Sequence, residues 1–93
     1  MARFTVRVVL HKYKNPEDRA YARLNAMMRE AGFSRVLRGA DQKVYHLPPG
    51  EFSYEANIDI DFVRDHAAVV ANAIDPDNGI LVTEGPRSWQ GLR

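Results

Sequence analysis

Residues 15–33 read NPEDRAYARLNAMMREAGF and contain signals for the start, the body and the end of one helix. Asn15 is typical of a helix N-cap, Pro16 fits the first helical position, and Gly32 is typical of the residue that follows a helix. Between them, apolar side chains recur at helical spacing and predict one buried face: Tyr21, Leu24, Met28 and Ala31. We therefore expect a helix over residues 16–31.

The segments around this helix alternate between apolar and polar residues, which is typical of strands with one buried face. The first strand is predicted over residues 3–11 and is expected to bury Phe4, Val6, Val8 and Leu10. Three further strands are predicted over residues 34–38, 52–56 and 80–84, with a turn over 39–42 and extended structure over 43–47. Because proline cannot donate a backbone hydrogen bond, we expect a hairpin to cross Pro48 and Pro49.

A second helix is predicted over residues 60–74, with Asp59 as its cap. Its apolar stripe consists of Val63, Ala67, Val70 and Ile74. The residues that follow, 75–79, predict a turn. The order strand, helix, strand, strand, helix, strand is that of the ferredoxin-like fold. We therefore expect an α+β, ferredoxin-like βαββαβ sandwich, in which a four-stranded antiparallel sheet of order 4-1-3-2 carries both helices on one face.

The 93 residues are expected to form one ferredoxin-like domain over residues 1–86 and a C-terminal tail over 87–93 that contains the single tryptophan, Trp89. The absence of cysteine excludes a disulfide framework and a thiolate metal site. No segment approaches the roughly 20 apolar residues of a membrane-spanning helix, so we expect a cytoplasmic protein without a membrane partner. A small domain with an open sheet face and an apolar tail residue predicts a symmetric homodimer.

The sequence separates its charges between its two halves. Residues 1–50 hold ten Lys or Arg against four Asp or Glu, a net charge of +6, whereas residues 51–93 hold three against eight, a net charge of −5. Such a split indicates a polyanionic partner on one face or a head-to-tail contact between copies. Ordinary solvation of two differently charged surfaces explains it equally well.

Few residue patterns point to chemistry. Asp59, Asp61 and Asp65 offer oxygen ligands for Mg²⁺, but acidic residues at a helix start are explained by the cap and the helix dipole, so no metal and no cofactor is expected. His11, His46 and His66 lack the spacing of metal ligands. Four aromatic residues could stack on bases, although aromatic residues in strands usually pack in the core: Tyr13, Tyr45, Tyr54 and Trp89.

RNA cleavage without a metal needs a base for the 2′-hydroxyl, an acid for the leaving oxygen and a cation beside the phosphorus. His11, next to Lys12, is the histidine that fits the acid or base role. The cations that fit phosphate or partner binding are Arg7, Lys12, Lys14, Arg19 and Arg23.

Four stretches resemble the GhoS-type antitoxin family of small Cas2-like ferredoxin-fold proteins: FTVRV at residues 4–8, AYARLNAMMREAGF at 20–33, LPPGEFSYEAN at 47–57 and ILVTEG at 80–85. The resemblance covers about residues 3–84. It implies a bacterial or phage protein that binds RNA and, in the characterised antitoxin, a sequence-selective endoribonuclease acting on a toxin messenger. Arg23 falls on one helix arginine of that family and Asn25 on another, so the resemblance adds Arg23 to His11 as a catalytic candidate.

Three functions therefore stay open. The first is an antitoxin-type RNA-binding protein, with endoribonuclease activity undecided. The second is a non-catalytic phage-type accessory protein, such as an anti-CRISPR, that docks on a nucleoprotein complex. The third is a plain homodimerising module. Fold alone does not choose among them, because ferredoxin-like domains carry many unrelated functions.

Overall fold

A computed structural model describes residues 1–93. In chain order its elements are β1 (Ala2–Leu10), α1 (Arg19–Glu30), β2 (Val36–Arg38), β3 (Val44–His46), β4 (Glu51–Ala56), α2 (Ile60–Ile74) and β5 (Asn78–Glu84). The α+β class predicted from the sequence is confirmed. No helix of the chain has the length and apolar character needed to cross a membrane.

The predicted four-stranded sheet is wrong. β1 pairs with β4 on one side and with β5 on the other, both antiparallel, which gives a three-stranded sheet of order β4-β1-β5. β2 pairs only with β3, in a separate two-stranded sheet. A single bridge joins the two sheets, formed by backbone hydrogen bonds of 2.8 and 2.7 Å between Ser34 and Ser53.

Local side-chain bonds explain why the ladder between β2 and β4 stops after one bridge. The Ser34 hydroxyl accepts a hydrogen bond from the Val36 amide at 3.1 Å, which competes with a regular strand pairing. The Arg35 guanidinium then donates to the carbonyl oxygens of Leu47, Pro48 and Glu51 at 2.9, 2.7 and 2.6 Å. One side chain thereby satisfies backbone acceptors that a continued ladder would otherwise have used.

The expected hairpin across the prolines is also wrong. The hairpin is formed instead by β2 and β3, whose turn is closed by a 2.9 Å bond from the Gly39 amide to the Lys43 carbonyl. Gln42 has a φ of 67° in this turn, as the predicted turn over residues 39–42 allows. Pro48 and Pro49 only connect this hairpin to β4, because neither can donate to a ladder.

Helix α1 starts later than predicted. Asp18, not Asn15, is its N-cap, and the Asp18 carboxylate accepts a 2.9 Å hydrogen bond from the Ala20 amide. Asn15 instead closes a preceding turn, in which its Oδ1 accepts from the Glu17 amide and its carbonyl from the Asp18 amide. The sequence offers two good cap residues, and the second one begins the helix.

Helix α2 has the predicted bounds and the predicted cap, because Asp59 accepts a 2.8 Å hydrogen bond from the Asp61 amide. At its far end, strand β5 begins at Asn78, so the predicted turn is shorter than expected. The buried Asp75 carboxylate accepts hydrogen bonds from the Lys12 and Asp77 amides and fixes that short turn.

The core lies between the sheet and the two helices. The predicted buried side of β1 is confirmed, since Phe4, Val6, Val8 and Leu10 are each exposed by 2% or less. They form one cluster with residues of both predicted stripes, of which Leu24 and Met28 of α1 and Val63 and Ala67 of α2 are fully buried. Ala71, which the predicted stripe did not include, is fully buried as well. Both helices therefore cover the same face of the sheet.

Substitution of Leu24 by alanine should lower the free energy of unfolding by about 2 to 5 kcal/mol, because it leaves a cavity in this core. Val69→Ala is the matched control, since Val69 is an α2 residue with 72% exposure, and it should change stability by no more than about 0.5 kcal/mol. Urea denaturation of both variants measures the difference. Equal midpoints for Leu24→Ala and the parent chain would contradict the assigned core.

Candidate nucleic-acid interface

The second face of the sheet, which we call the open face, is covered by no helix, but the tail lies over part of it, where Arg87 donates to the Ser53 hydroxyl. Along β1 it carries Arg3, Thr5, Arg7 and Val9, of which both arginines are exposed. The neighbouring strands add residues of mixed character on the same face, by their register with β1: Glu51, Ser53 and Glu55 from β4 and Gly79, Leu81 and Thr83 from β5. In this register the two arginines lie opposite the two glutamates, so the strand residues of this face carry no net charge.

Of the predicted binding residues, only Arg7 lies on this face, because α1 covers the opposite one. Arg7 lies in the middle of β1, between Glu51 and Leu81 in the register of the sheet. Lys12 and Lys14 belong to the connection after β1, and Arg19 is the first residue of α1. All four cations are exposed.

These cations have no partner within the chain. None of these side chains makes an intramolecular hydrogen bond or an ion pair: Arg7, Lys12, Lys14, Arg19 and Arg23. Lys12 makes a cation–π contact, since its Nζ lies 5.9 Å from the centroid of the Tyr13 ring. By contrast, Arg3, Arg64 and Arg87 are ion-paired. The five predicted cations are therefore available to an external anion.

His11 and Arg23 do not lie on the same side of the molecule. The Nε2 atom of His11 lies 3.4 Å from the position that a Cβ on Gly79 would occupy, so the imidazole lies over the end of β5. Arg23 lies on α1, whose Leu24 packs against the opposite face of the sheet. The sheet separates these two candidates, so they form no acid and cation pair around one phosphate.

The other two histidines have structural contacts. His66 stacks on Phe33 at 5.3 Å between ring centroids and has its Nε2 2.8 Å from the Ala31 carbonyl oxygen. His46 has its Nδ1 2.9 Å from the Arg93 carbonyl oxygen. Both contacts tie separate segments together.

The aspartates at the start of α2 are occupied by protein groups. Asp59 caps the helix, and Asp61 and Asp65 both pair with Arg64, at 3.2 and 2.9 Å. The hydrogen bond and charge of Asp65, with the charge of Asp61, raise the pKa of Arg64. The structure brings no group of three or more histidines or carboxylates into a metal-binding arrangement.

The largest cavity was not predicted from the sequence. It is a cleft of about 850 Å³ between the edge of β4, the β2–β3 hairpin and the tail. We call it the arginine cleft, because its charged lining consists of Arg3, Arg38, Arg87 and the single carboxylate Glu55. The isolated Ser34–Ser53 bridge leaves the space for this cleft, since the hairpin turns away from β4 beyond it.

Arg87 is the most constrained cation of the arginine cleft. Its NH1 lies 2.7 Å from the Ser53 hydroxyl and 3.4 Å from the Phe4 carbonyl oxygen, and its NH2 lies 3.9 Å from Glu55. Arg3 lies 3.7 Å from the same Glu55 oxygen. Burial lowers the pKa of Arg87; Glu55 opposes that shift and the charge of Arg3 adds to it.

Trp89 lies against its own chain, where its ring is 5.8 Å from that of Tyr45 in β3. It lines the arginine cleft and a smaller cavity of about 250 Å³ beside the open face. The tail thus folds back over the edge of the domain. Sequence alone gave one signal for this arrangement, namely two large side chains, Arg87 and Trp89, in a tail without helical or strand periodicity.

Comparison with known proteins adds no relative. No family model, no curated protein and no solved structure matches the chain. Function therefore has to be argued from the site itself.

The rim of the arginine cleft predicts a pH effect. The Tyr45 hydroxyl donates to the Asp41 carboxylate, and this bond, together with one from the Lys43 amide, lowers the pKa of Asp41. Because the folded pKa is lowered, the carboxylate stabilises the hairpin above its unfolded pKa, and this contribution is lost as the pH falls through the folded pKa. Tyr45→Phe should raise the Asp41 pKa in a carboxyl NMR titration.

Tyr13→Phe is the control for this titration, since Tyr13 has no hydrogen bond to a carboxylate. Both substitutions remove one phenolic hydroxyl, and only that of Tyr45 bonds to a carboxylate. An Asp41 titration curve that is the same in Tyr45→Phe and in the parent chain would show that the bond does not form in solution.

Proposed function

We propose that the chain is an antitoxin-type RNA-binding protein and that it holds RNA on the open face of its sheet. The observation that carries this proposal is the set of exposed cations without a partner on β1 and in the connection that follows it, namely Arg7, Lys12 and Lys14. Cations that are not neutralised within the chain bind phosphates with release of counterions, and this supplies most non-specific affinity for nucleic acid.

The proposal includes a ferredoxin-like architecture. The order β5-β1-β4, both helices on one face, and the Ser34–Ser53 bridge that places the hairpin beside β4 support it. In a ferredoxin-like description, the second strand pairs with β4 only at Ser34. The chain then continues into the β2–β3 hairpin, which pairs with itself. The resemblance to the antitoxin family implies a ferredoxin fold as well.

The separation of His11 from Arg23 favours binding over cleavage. General acid and base catalysis requires groups within hydrogen-bond reach of the same reacting atoms. Here the imidazole lies over the open face and the guanidinium lies in the helix layer. We therefore propose that the protein holds RNA without cutting it by this pair.

Arg7→Gln should weaken the binding of single-stranded RNA and reduce the slope of log affinity against log salt by about 1, because one phosphate contact is lost. Arg64→Gln is the control with the same change of charge on α2, where Arg64 is already paired with two carboxylates. Fluorescence anisotropy of a labelled oligoribonucleotide over a salt series measures both.

Incubation of the pure protein with total RNA, with and without a chelator, completes this experiment. The expected result on a gel is intact RNA in both lanes. Defined fragments that persist with chelator would overturn the proposal of binding alone. No RNA binding at low salt, together with capture of a CRISPR nucleoprotein complex, would favour the anti-CRISPR alternative, in which the same cations form a docking face.

We further propose that the protein forms a symmetric homodimer, which the free edge of the sheet supports. β5 pairs with β1 on one side only, and Leu81 at its centre is 61% exposed. An unpaired strand edge that carries apolar residues is a surface for pairing with a second strand. Trp89, by contrast, contacts its own chain.

Light scattering at micromolar concentration should give twice the 10.6 kDa mass of the chain. Leu81→Lys should restore the single-chain mass, since a lysine on an edge strand opposes pairing. Val69→Lys, on α2, places the same charge at an equally exposed apolar position and should leave the mass of the dimer unchanged. A single-chain mass for the parent protein would refute the dimer.

A further inference from the structure

We infer that the arginine cleft binds one nucleotide of single-stranded RNA, with its phosphate against the guanidinium groups and its base against Trp89. This inference rests on the proposed function, because it names the place where the bound RNA chain is held most closely. It concerns a set of residues, Arg3, Arg38, Arg87 and Trp89, that differs from the cations on which the proposed function depends.

The dimensions of the cleft suit a small organic ligand. Its volume of about 850 Å³ falls within the roughly 300 to 1,000 Å³ of typical small-molecule sites. Its walls are the β4 edge at Ser53 and Glu55, the hairpin and the tail, so a ligand in it would touch three separate segments. A flat cationic surface would offer phosphate contacts alone, whereas this cleft also has room for a base.

The charge of the cleft favours an anion. Three guanidinium groups line it, and the only carboxylate is Glu55, whose Oε1 is shared by Arg3 and Arg87 at 3.7 and 3.9 Å. The lining therefore has a surplus of positive charge, which the Asp41 carboxylate at the rim reduces without cancelling. A phosphate would accept the guanidinium hydrogen bonds that a single shared carboxylate leaves unused.

The guanidinium of Arg87 is already oriented. It is half-buried and held by the Ser53 hydroxyl at 2.7 Å, so little side-chain freedom remains to be lost when a ligand binds. Arg38 belongs to the hairpin side of the cleft, and its NH1 contacts only the Gln42 carbonyl oxygen. The two groups thus approach a ligand from opposite walls.

Trp89 distinguishes this cleft from a simple phosphate site. Its ring is half-buried, lies on the cleft wall and is supported from behind by Tyr45 at 5.8 Å. Bases of single-stranded RNA stack on such aromatic side chains beside a cationic groove. The combination of an aromatic wall with arginines is the recognition chemistry of a nucleotide and not of an inorganic anion.

Arg3 connects the cleft with the open face. It lines the cleft and also lies on the same side of β1 as Arg7, four residues away, which is a distance of about 13 Å along a strand. The tail lies beside Thr5 between them, so an RNA strand that reaches both arginines would pass around the tail. The cleft would then bind one base of the RNA. The other contacts would join phosphates of the RNA to cations of the protein.

Trp89 provides the measurement, because it is the single tryptophan of the chain. Titration with a short oligoadenylate should quench its fluorescence, whereas inorganic phosphate alone should compete weakly and leave the emission unchanged. Arg38→Gln should weaken the oligoadenylate affinity several-fold, and Arg29→Gln, an exposed arginine of α1 with no ion pair, is the control with the same change of charge. Trp89→Leu, measured by anisotropy, should lose roughly tenfold in affinity.

The outcomes distinguish failure of the cleft as a nucleotide site from failure of the proposed RNA-binding function. One result would overturn the cleft as the nucleotide site: anisotropy shows oligoadenylate binding, Trp89 is not quenched, and Arg38→Gln and Arg29→Gln bind with equal affinity. The proposed RNA-binding function would then remain. Equal quenching by inorganic phosphate would assign the cleft to a free anion and also overturn it. No binding of oligoadenylate at low salt in either assay would overturn both proposals.

Discussion

The alternation of side chains along β1 is the constraint on which the rest of the structure depends. Each even residue from Phe4 to Leu10 is buried beneath the two helices, and each odd residue from Arg3 to Val9 lies on the opposite face. Because β1 is hydrogen-bonded on both edges, to β4 and β5, a shift of one residue would exchange core and surface along the whole strand. The same constraint produces the core and the face that carries Arg3 and Arg7.

Sequence patterns predicted those parts of the fold that local periodicity controls. Both helical stripes and the buried side of β1 could be predicted because many residues repeat the same signal, and the cap of α2 was placed correctly at Asp59. The start of α1 was misplaced because Asn15 and Asp18 both suit an N-cap, and only the turn between them decides which one acts. The split of the sheet depends on Arg35, whose side-chain bonds to the connection before β4 leave no trace in periodicity.

The sequence predicted the cations near the end of β1 but not the arginine cleft. The cations near the end of β1 could be found because they are close in sequence, and their exposure follows from their type. The arginine cleft joins Arg3, Arg38 and Arg87, which lie in three distant segments, so it exists only once the hairpin and the tail have been placed. Tertiary placement also separates His11 from Arg23, which the family resemblance had grouped together as catalytic candidates.

The weak attachment of the β2–β3 hairpin has an evolutionary consequence. The hairpin contributes Leu37 to the buried residues, but it is joined to the three-stranded sheet by one bridge and by the bonds of Arg35. Insertions or deletions in its turn, around Gly39 to Gln42, would therefore change one wall of the cleft without disturbing the ladder of β1, since added length in an exposed loop costs little. Homologous chains can accordingly diversify what the cleft accepts by varying the hairpin while the sheet and both helices stay the same.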